Sequence, residues 1–336
     1  MRDLLVQEAQ LGSERAFEEL VASHRRELQV HCYRMLGSAE DADDAVQETM
    51  LRAWTRVSTF AGTSTFRAWL YAVATNVCLD SLRRRKRRAW PTDVVEAADS
   101  GTTPGPPTDI SWLQPYPDAL LGEATSAEDA VVAREAIQLA FLTAIQQLPP
   151  RQRAVLILRD VLGWSAKEAA QTLDMTPMAV HSALRRAQAT FSARLPDRPD
   201  TWRASATDER AILERFVRAW ESADMDGLVR LLAHDARLVM PPRQTWFQGP
   251  ADIATFFGSR MPEPLSRTHL GDHWRLIPTA ANRQPAFGLY LESPDEARFE
   301  RFAIGVLTVG VEGIKEIAVF MENPALFDLF DLPAAA

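Results

Sequence analysis

Apolar positions over the first 90 residues recur every three or four places, with almost no glycine or proline between them, which predicts consecutive amphipathic helices. Residues 98–117 are instead rich in proline, glycine, threonine and serine, the composition of a linker. Helical periodicity resumes near Ser126 and runs to Leu195. A second break at 196–200 precedes two more predicted helices, 208–222 and 226–233. The texture then changes. Segments 237–240, 269–276, 285–291, 297–309 and 314–321 are rich in β-branched and aromatic residues and read as strands. Helices followed by a run of strands predict an α+β domain that begins near residue 207. No internal repeat is visible.

The most informative stretch is 148–195, which reads as a helix-turn-helix. A first apolar helix carries Val155, Leu156 and Leu158, and Gly163-Trp164-Ser165 ends it. A short Ala-rich helix over 167–173 follows, and Asp174-Met175 makes the turn. Thr176 sits at an N-cap, and Pro177 opens a second helix where its missing N–H is harmless. Val180, Leu184, Ala187 and Phe191 recur at spacings of four, three and four, forming one buried stripe. His181, Ser182, Arg185 and Arg186 lie opposite, a set of donors suited to phosphates and base edges in a major groove. A trihelical packing module would show the same stripe; the tight turn and paired arginines favour DNA.

Residues 40–54 form an amphipathic helix with Ala42, Val46, Met50 and Ala53 as its core face. Asp43, Asp44, Gln47, Glu48 and Arg52 face out. Such carboxylates could bind metal, but the glycine turn of a calcium loop is missing and no His or Cys is near. A solvated acidic face and a docking surface for a basic partner stay open. Next come a small polar loop, 59–65, and a helix from Phe66 to Leu82 that ends in six cations, 83–88. Six exceed what capping a helix dipole requires. A basic cluster beside aromatics and a short polar loop suits single-stranded or melted DNA, where bases need stacking faces and phosphates need charge.

The chain has 336 residues, 46% hydrophobic and 24% charged, enough for two or three globular domains. The net charge of −8 is spread out: residues 207–336 carry 13 basic and 19 acidic side chains, residues 1–206 carry 24 and 26. Nucleic-acid contact must then come from local patches, which fits promoter binding supported by a larger machine. Cys32 and Cys78 read as buried thiols of a reducing cytoplasm rather than a disulfide. No signal peptide opens the chain, and no run of about eighteen apolar residues spans a membrane.

DADDAVQETMLRAW (41–54), STFRAWLYAVATNVCLDSLRRRKRR (64–88) and, beyond the linker, LPPRQRAVLILRDVLGWSAKEAAQTLDMTPMAVHSALRRA (148–187) resemble the extracytoplasmic-function (ECF) sigma factors of bacterial RNA polymerase. The resemblance covers residues 10–90 and 126–195. It implies that Asp44, Gln47, Glu48 and Arg52 dock on the clamp helices of core polymerase. It also implies that Phe60, Phe66, Asn76, Asp80, Arg83 and Arg84 melt and read a promoter −10 element, and that His181, Ser182, Arg185 and Arg186 read a −35 element.

The chain then continues for about 140 residues beyond the helix-turn-helix. Segments 210–220, 228–240, 246–249 and 320–324 resemble a SnoaL-like domain, a curved sheet wrapped by helices into a cone. The combination resembles the ECF group that carries such a domain in place of a separate anti-sigma factor. The motif Trp112-Leu113-Gln114-Pro115-Tyr116-Pro117 also resembles that group's linker. A tryptophan among prolines has little local structure to bury it, so docking into a groove is favoured over a merely sticky loop. His234, Asp235, His269, Asp272 and His273 are candidate acid–base groups, with Trp220, Trp246, Trp274 and Tyr290 as pocket walls. Without nucleophile–base spacing or a metal set, catalysis and binding of a small ligand rank below regulation through protein contacts.

The expectation is a multidomain chain with two all-α sigma domains, the second a helix-turn-helix, and an α+β cone-shaped SnoaL-like domain. Region 2 is expected over 1–92, a linker over 93–125, region 4 over 126–196 and the regulatory domain over 207–330. The expected function is transcription initiation with core RNA polymerase and promoter DNA, in the cytoplasm, without cofactor or metal. The rival reading is a SnoaL-like enzyme or ligand-binding protein with a degenerate sigma module.

Overall fold

The computed structural model describes residues 2–62, 64–84, 88–99, 101–122, 136–194, 206–259, 274–293, 298–321 and 323–336. They fall into two compact units, one drawn from Met1–Arg88 and Leu120–Pro196, the other from Ala89–Ala119 and Asp197–Ala336.

The first unit is all helical. It comprises α1 (Arg2–Gln10), α2 (Glu14–Ala22), α3 (Arg25–Leu36), α4 (Ala39–Arg56) and α5 (Phe66–Arg84). These are followed by α6 (Leu139–Gln146), α7 (Pro150–Leu156), α8 (Ala166–Leu173) and α9 (Pro177–Arg194). Local chemistry sets the ends. Ser13 and Ser38 cap α2 and α4 by accepting from the N–H groups of Ala16 and Asp41. Gly37 closes α3 in the left-handed region, φ 73°, which lets its N–H reach Tyr33 O at 2.7 Å. On α4, Ala42, Val46 and Ala53 are buried as expected, together with Ala45 and Thr49, while Met50 is half-buried. Cys32 and Cys78 are free and buried, and burial pushes the Cys78 thiol up.

The helix-turn-helix forms within one residue of the expected limits. Ser165 and Glu168 make a reciprocal capping box on α8, Ser165 N–H to Glu168 Oε2 at 2.7 Å and Glu168 N–H to Ser165 Oγ at 3.2 Å. Asp174 takes the left-handed turn position at φ 51°, and Thr176 Oγ1 accepts from Ala179 N–H at 3.2 Å. Val180, Ala187 and Phe191 are buried, joined by Ala183, and Leu184 is half-buried. One feature escapes the periodicity: α7 runs on as a π-helical turn, Ile157–Val161.

What joins the two halves of this unit is a guanidinium. Arg153 on α7 is 1% exposed. It donates to Met35 O near the end of α3, to Gln146 Oε1 at 2.6 Å, to Gln146 O at 2.8 Å and to Leu148 O at 3.4 Å. The carbonyls at the ends of α3 and α6 have no partner within their own helices, and their dipoles favour a cation there. Gln146 Nε2 returns a bond to Arg34 O at 3.3 Å, and Arg34 Nε reaches Ala136 O at 3.1 Å. Trp164 adds an edge-on ring contact to Tyr71 of α5, 5.5 Å between centroids.

The second unit is α+β. Its elements are α10 (Ala206–Glu221), α11 (Met225–Val229), β1 (Leu232–Val239), β2 (Trp246–Gln248), α12 (Pro250–Ser259), β3 (Trp274–Ala281), β4 (Gln284–Glu292), β5 (Phe299–Gly310), β6 (Gly313–Met321) and α13 (Pro324–Leu329). The sheet order is β2-β1-β6-β5-β4-β3, antiparallel except for the parallel pair β1–β6. Phe216 and Trp220 of α10 and Phe257 of α12 pack on Trp274, Phe287 and Leu307 of the sheet. The helix expected over 226–233 stops at Val229, because Leu231 O accepts from Ile314 N–H at 2.8 Å and draws the following residues into β1. β2 and α13, three and six residues long, and the helix α12 were not foreseen. Part of the strand expected over 269–276 lies outside the described residues.

Replacing Arg153 by Met, or by Lys, which keeps the charge but loses the planar fork, is expected to leave buried carbonyls unsatisfied. At about 1–3 kcal/mol for each such acceptor, urea denaturation of the whole chain should show a clear loss of stability. An unchanged midpoint for both variants would refute this role.

Candidate functional site

On α4, Asp44 and Gln47 are exposed and Glu48 and Arg52 half-buried, so the four expected residues share one face. They are not independent. Gln47 Nε2 donates to Asp43 at 2.8 Å, and Arg52 bridges Glu48 at 2.6 Å and Asp80 of α5 at 3.0 Å. Asp80 also holds Arg83 at 2.9 Å. One ionic chain thus ties the acidic face of α4 to the basic end of α5. Leu51, 60% exposed beside these groups, was missed; its place three residues after Glu48 and seven after Asp44 was the available signal.

Phe60 and Phe66 are half-buried in a cluster with Trp69, with centroids 5.4 to 5.8 Å apart. Beside them opens a cleft of about 500 Å³ lined by Gln10, His24, Phe60, Gly62, Phe66 and Arg67. Gln10 Nε2 secures the loop by donating to Phe60 O at 2.8 Å. Arg67 is held by Glu27 at 2.6 Å, and Tyr71 O–H donates to the same carboxylate at 3.2 Å. Burial alone would raise the Glu27 carboxyl, but hydrogen bonds from His24 and Arg67 outweigh it and hold it at about 2. Gln10 and His24 were not singled out in the sequence, because nothing in its spacing brings α1 and the start of α3 to this loop; Arg67 and Trp69 were missed although they lie one and three residues after Phe66.

Asn76 is exposed, its amide donating to Ala72 O at 2.9 Å, and Arg83 and Arg84 are exposed at the helix end. The expected run of six cations is shorter in effect. Arg85, Lys86 and Arg87 lie outside the described residues. Arg88 turns inward, donating to Leu36 O at 3.0 Å and pairing with the buried Asp41. On α9, His181, Arg185 and Arg186 are exposed and Ser182 half-buried, with Arg186 donating to Ser182 Oγ at 2.9 Å.

Residues 89–119, which contain most of the expected linker, belong to the second unit. Trp112, Leu113, Pro115, Tyr116 and Pro117 are all buried there. Tyr116 is clipped by a reciprocal pair with Asn282, its N–H to Asn282 Oδ1 and Asn282 N–H to its carbonyl, both at 2.9 Å. Asp118 accepts from Arg283 N–H at 2.7 Å. Upstream, Trp246 Nε1 donates to Val95 O and Ala98 N–H to Trp246 O, each at 2.9 Å. Thr108 donates twice to Pro242 O at 3.2 Å. The segment closes on itself where Ala89 N–H meets Ser111 O at 2.8 Å and Leu113 N–H meets Ala89 O at 3.3 Å.

Of the candidate acid–base groups, only His234 and Asp235 lie among the described residues, and they are neighbours at the surface, 4.0 Å apart. The His234 side chain is 80% exposed, 3.2 Å from Glu312, while Asp235 is held by Lys315 at 2.8 Å. Trp220 and Trp274 meet in the core at 6.3 Å, but Trp246 faces the 89–119 segment and Tyr290 donates to Pro333 O at 2.9 Å. His269, Asp272 and His273 lie outside the described residues.

The sequence matches the family models Sigma-70 region 2 over residues 20–88, Sigma-70 region 4 over 138–189 and SnoaL-like domain over 213–275. It is 38% identical over 312 residues to the ECF RNA polymerase sigma factor SigG of Mycobacterium tuberculosis, covering 92% of this chain and 82% of that one. The ECF sigma factor SigW of Bacillus subtilis is 27% identical over 57% of this chain and 95% of its own. Among solved structures, the Mycobacterium tuberculosis ECF sigma factor SigJ superposes with a TM-score of 0.61 at 20% identity, covering 92% of this chain and 97% of that one, a likeness of fold.

The docked segment has a titratable contact. Trp90 Nε1 donates to Glu316 on β6 at 3.5 Å, and its ring lies 5.9 Å from Phe320. Burial pushes the Glu316 carboxyl up from 4.5 to about 7, against Arg237 and the Trp90 N–H and with help from Asp93. The folded unit, in which this carboxyl lies under Trp90, therefore favours the protonated form: that contribution to its stability is full below 4.5 and is lost as pH rises to about 7. Hydrogen exchange at the Ala89 and Leu113 amides, corrected for intrinsic rates, should show protection falling across that window. Glu316→Gln should flatten the profile; an unaltered profile would refute the linkage.

Proposed function

The chain belongs to the ECF sigma factors of RNA polymerase, transcription initiation factors, here with a fused SnoaL-like domain, and from that premise we propose how its residues divide the work. The exposed face of α4, with Asp44, Gln47, Glu48 and Arg52, docks on the clamp helices of core polymerase, and Leu51 adds apolar area there. The aromatic cluster and cleft between Phe60 and Arg67 receive an unstacked base of the −10 element, where ring faces stack and cations neutralise phosphate. Asn76, Arg83 and Arg84 extend that surface, and Asp80 holds Arg83 and Arg52 in place. The outer face of α9, with His181, Ser182, Arg185 and Arg186, enters the major groove of the −35 element. This reading places the protein in the cytoplasm with polymerase and assigns the bond chemistry of transcription to polymerase. Among the described residues, no helix is long and apolar enough to cross a membrane.

The observation that carries the regulatory part is the burial of Trp112 and Tyr116 in the second unit. The chain between region 2 and region 4 runs through this segment, so its docking limits how far the two DNA-reading modules can separate. Two promoter elements at a fixed spacing require that separation. A bias of a few kcal/mol is enough to shift such a two-state population substantially.

Transcription in vitro with core polymerase tests the assignment. Reversing charge at Asp44 and Glu48 should weaken core binding without loss of fold, and unchanged affinity would remove the docking face. Arg185→Ala and Arg186→Ala should weaken upstream recognition, a base-edge contact being worth about 1–3 kcal/mol. Wild-type output from both would refute the α9 face. Trp112→Ala and a chain stopped near Leu195 should each change output, and their effects should not add when combined. Strict additivity would separate the segment from the C-terminal domain.

A further inference from the structure

Seven large apolar side chains are exposed among the described residues, and one of them, Met178 at 81%, stands on α9. It occupies the first turn, one residue after Pro177, and precedes His181, Ser182 and Arg185 by three, four and seven positions. That spacing puts it on the face carrying these donors, at the end of the helix that enters deepest in helix-turn-helix recognition. Its place is well defined: Thr176 caps the turn through Ala179 N–H at 3.2 Å, and Asp174 holds the preceding left-handed bend. A thioether chain is flexible and polarisable, adapts to irregular apolar surface and offers no donor to a phosphate.

In the major groove, thymine alone presents an apolar group, its C5 methyl, while the other edges present donors and acceptors. We propose that Met178 is a specificity-determining residue that reads the C5 methyl of one thymine in the upstream promoter element. The inference rests on the assignment of the α9 face to DNA. The arginines beside it anchor phosphates and base edges, and Met178 adds a preference for thymine over any base lacking the methyl. Burying a methyl-sized group against such a side chain corresponds to roughly three- to five-fold in affinity.

The test uses the full chain with core polymerase and a promoter library randomised across the upstream element. Each thymine of the selected sequence is then replaced singly by deoxyuridine, which removes only the C5 methyl. At one thymine the replacement should weaken wild-type binding by roughly three- to five-fold. Met178→Ala should lose the same amount on the thymine promoter and be indifferent to the replacement, while Met178→Leu keeps the preference. Equal wild-type binding at every thymine and its deoxyuridine counterpart would overturn the proposal, as would a Met178→Ala protein that keeps the preference. Weaker binding of Met178→Ala to core polymerase with an unchanged preference would overturn it too, since the side chain would then face polymerase. Arg185→Ala separates the two levels. If it shifts the selected sequence while Met178→Ala does not, only the Met178 inference fails; if neither does, the assignment of α9 fails with it.

Discussion

The first unit depends on the satisfaction of buried carbonyls by Arg153. The last turns of α3 and α6 each end with oxygens that their own helices cannot use, and both sets are buried. A fully buried guanidinium with donors fanned across one plane meets them at once, at Met35, Gln146 and Leu148. A hydrophobic contact of the same size would leave those oxygens dry and unpaired, at a cost larger than the contact returns. Region 4 therefore rests on region 2 through a polar clasp as well as through the packing of Trp164 on Tyr71.

The contacts of region 4 with region 2 leave all three proposed working faces at the surface. Trp164 packs on Tyr71, and the side of α5 that this covers is the buried one, while Asn76, Arg83 and Arg84 stay exposed. The acidic face of α4 and the outer face of α9 are likewise exposed. What the clasp constrains is the separation between the modules. In the second unit, the 89–119 segment is held at Asn282, Trp246 and Pro242 by pairs of hydrogen bonds, one backbone and one side-chain in each. A free chain reaches about 3.3–3.6 Å per residue, and in the proposed regulation docking shortens that reach.

Charge is distributed to match. A net charge of −8 is compatible with promoter binding when the cations proposed to meet DNA are placed locally, on α5 and α9. The chain Glu48–Arg52–Asp80–Arg83 gives the acidic and basic surfaces a shared set of ion pairs. Under the proposed assignment, a partner that engages the carboxylates of α4 alters the field at the end of α5 through these pairs.

The sequence by itself determined the elements whose causes are local. Caps and turn residues such as Thr176, Pro177 and Asp174, with apolar spacing on α4 and α9, act within a few residues, so the helix-turn-helix and the exposed faces of both helices were legible. The strands β4, β5 and β6 were legible from β-branched and aromatic density. Tertiary structure alone decided the rest. Only the fold turns Arg88 toward Leu36 and Asp41, buries Arg153 against two helix ends, brings Gln10 and His24 to the Phe60 loop, and draws Leu232 into a strand by pairing it with Ile314. The same holds for residues 89–119, whose composition reads as a linker because proline and glycine form no helix or strand of their own. Their order comes from partners more than a hundred residues away. Local spacing cannot encode a partner that arrives only when the chain has closed on itself.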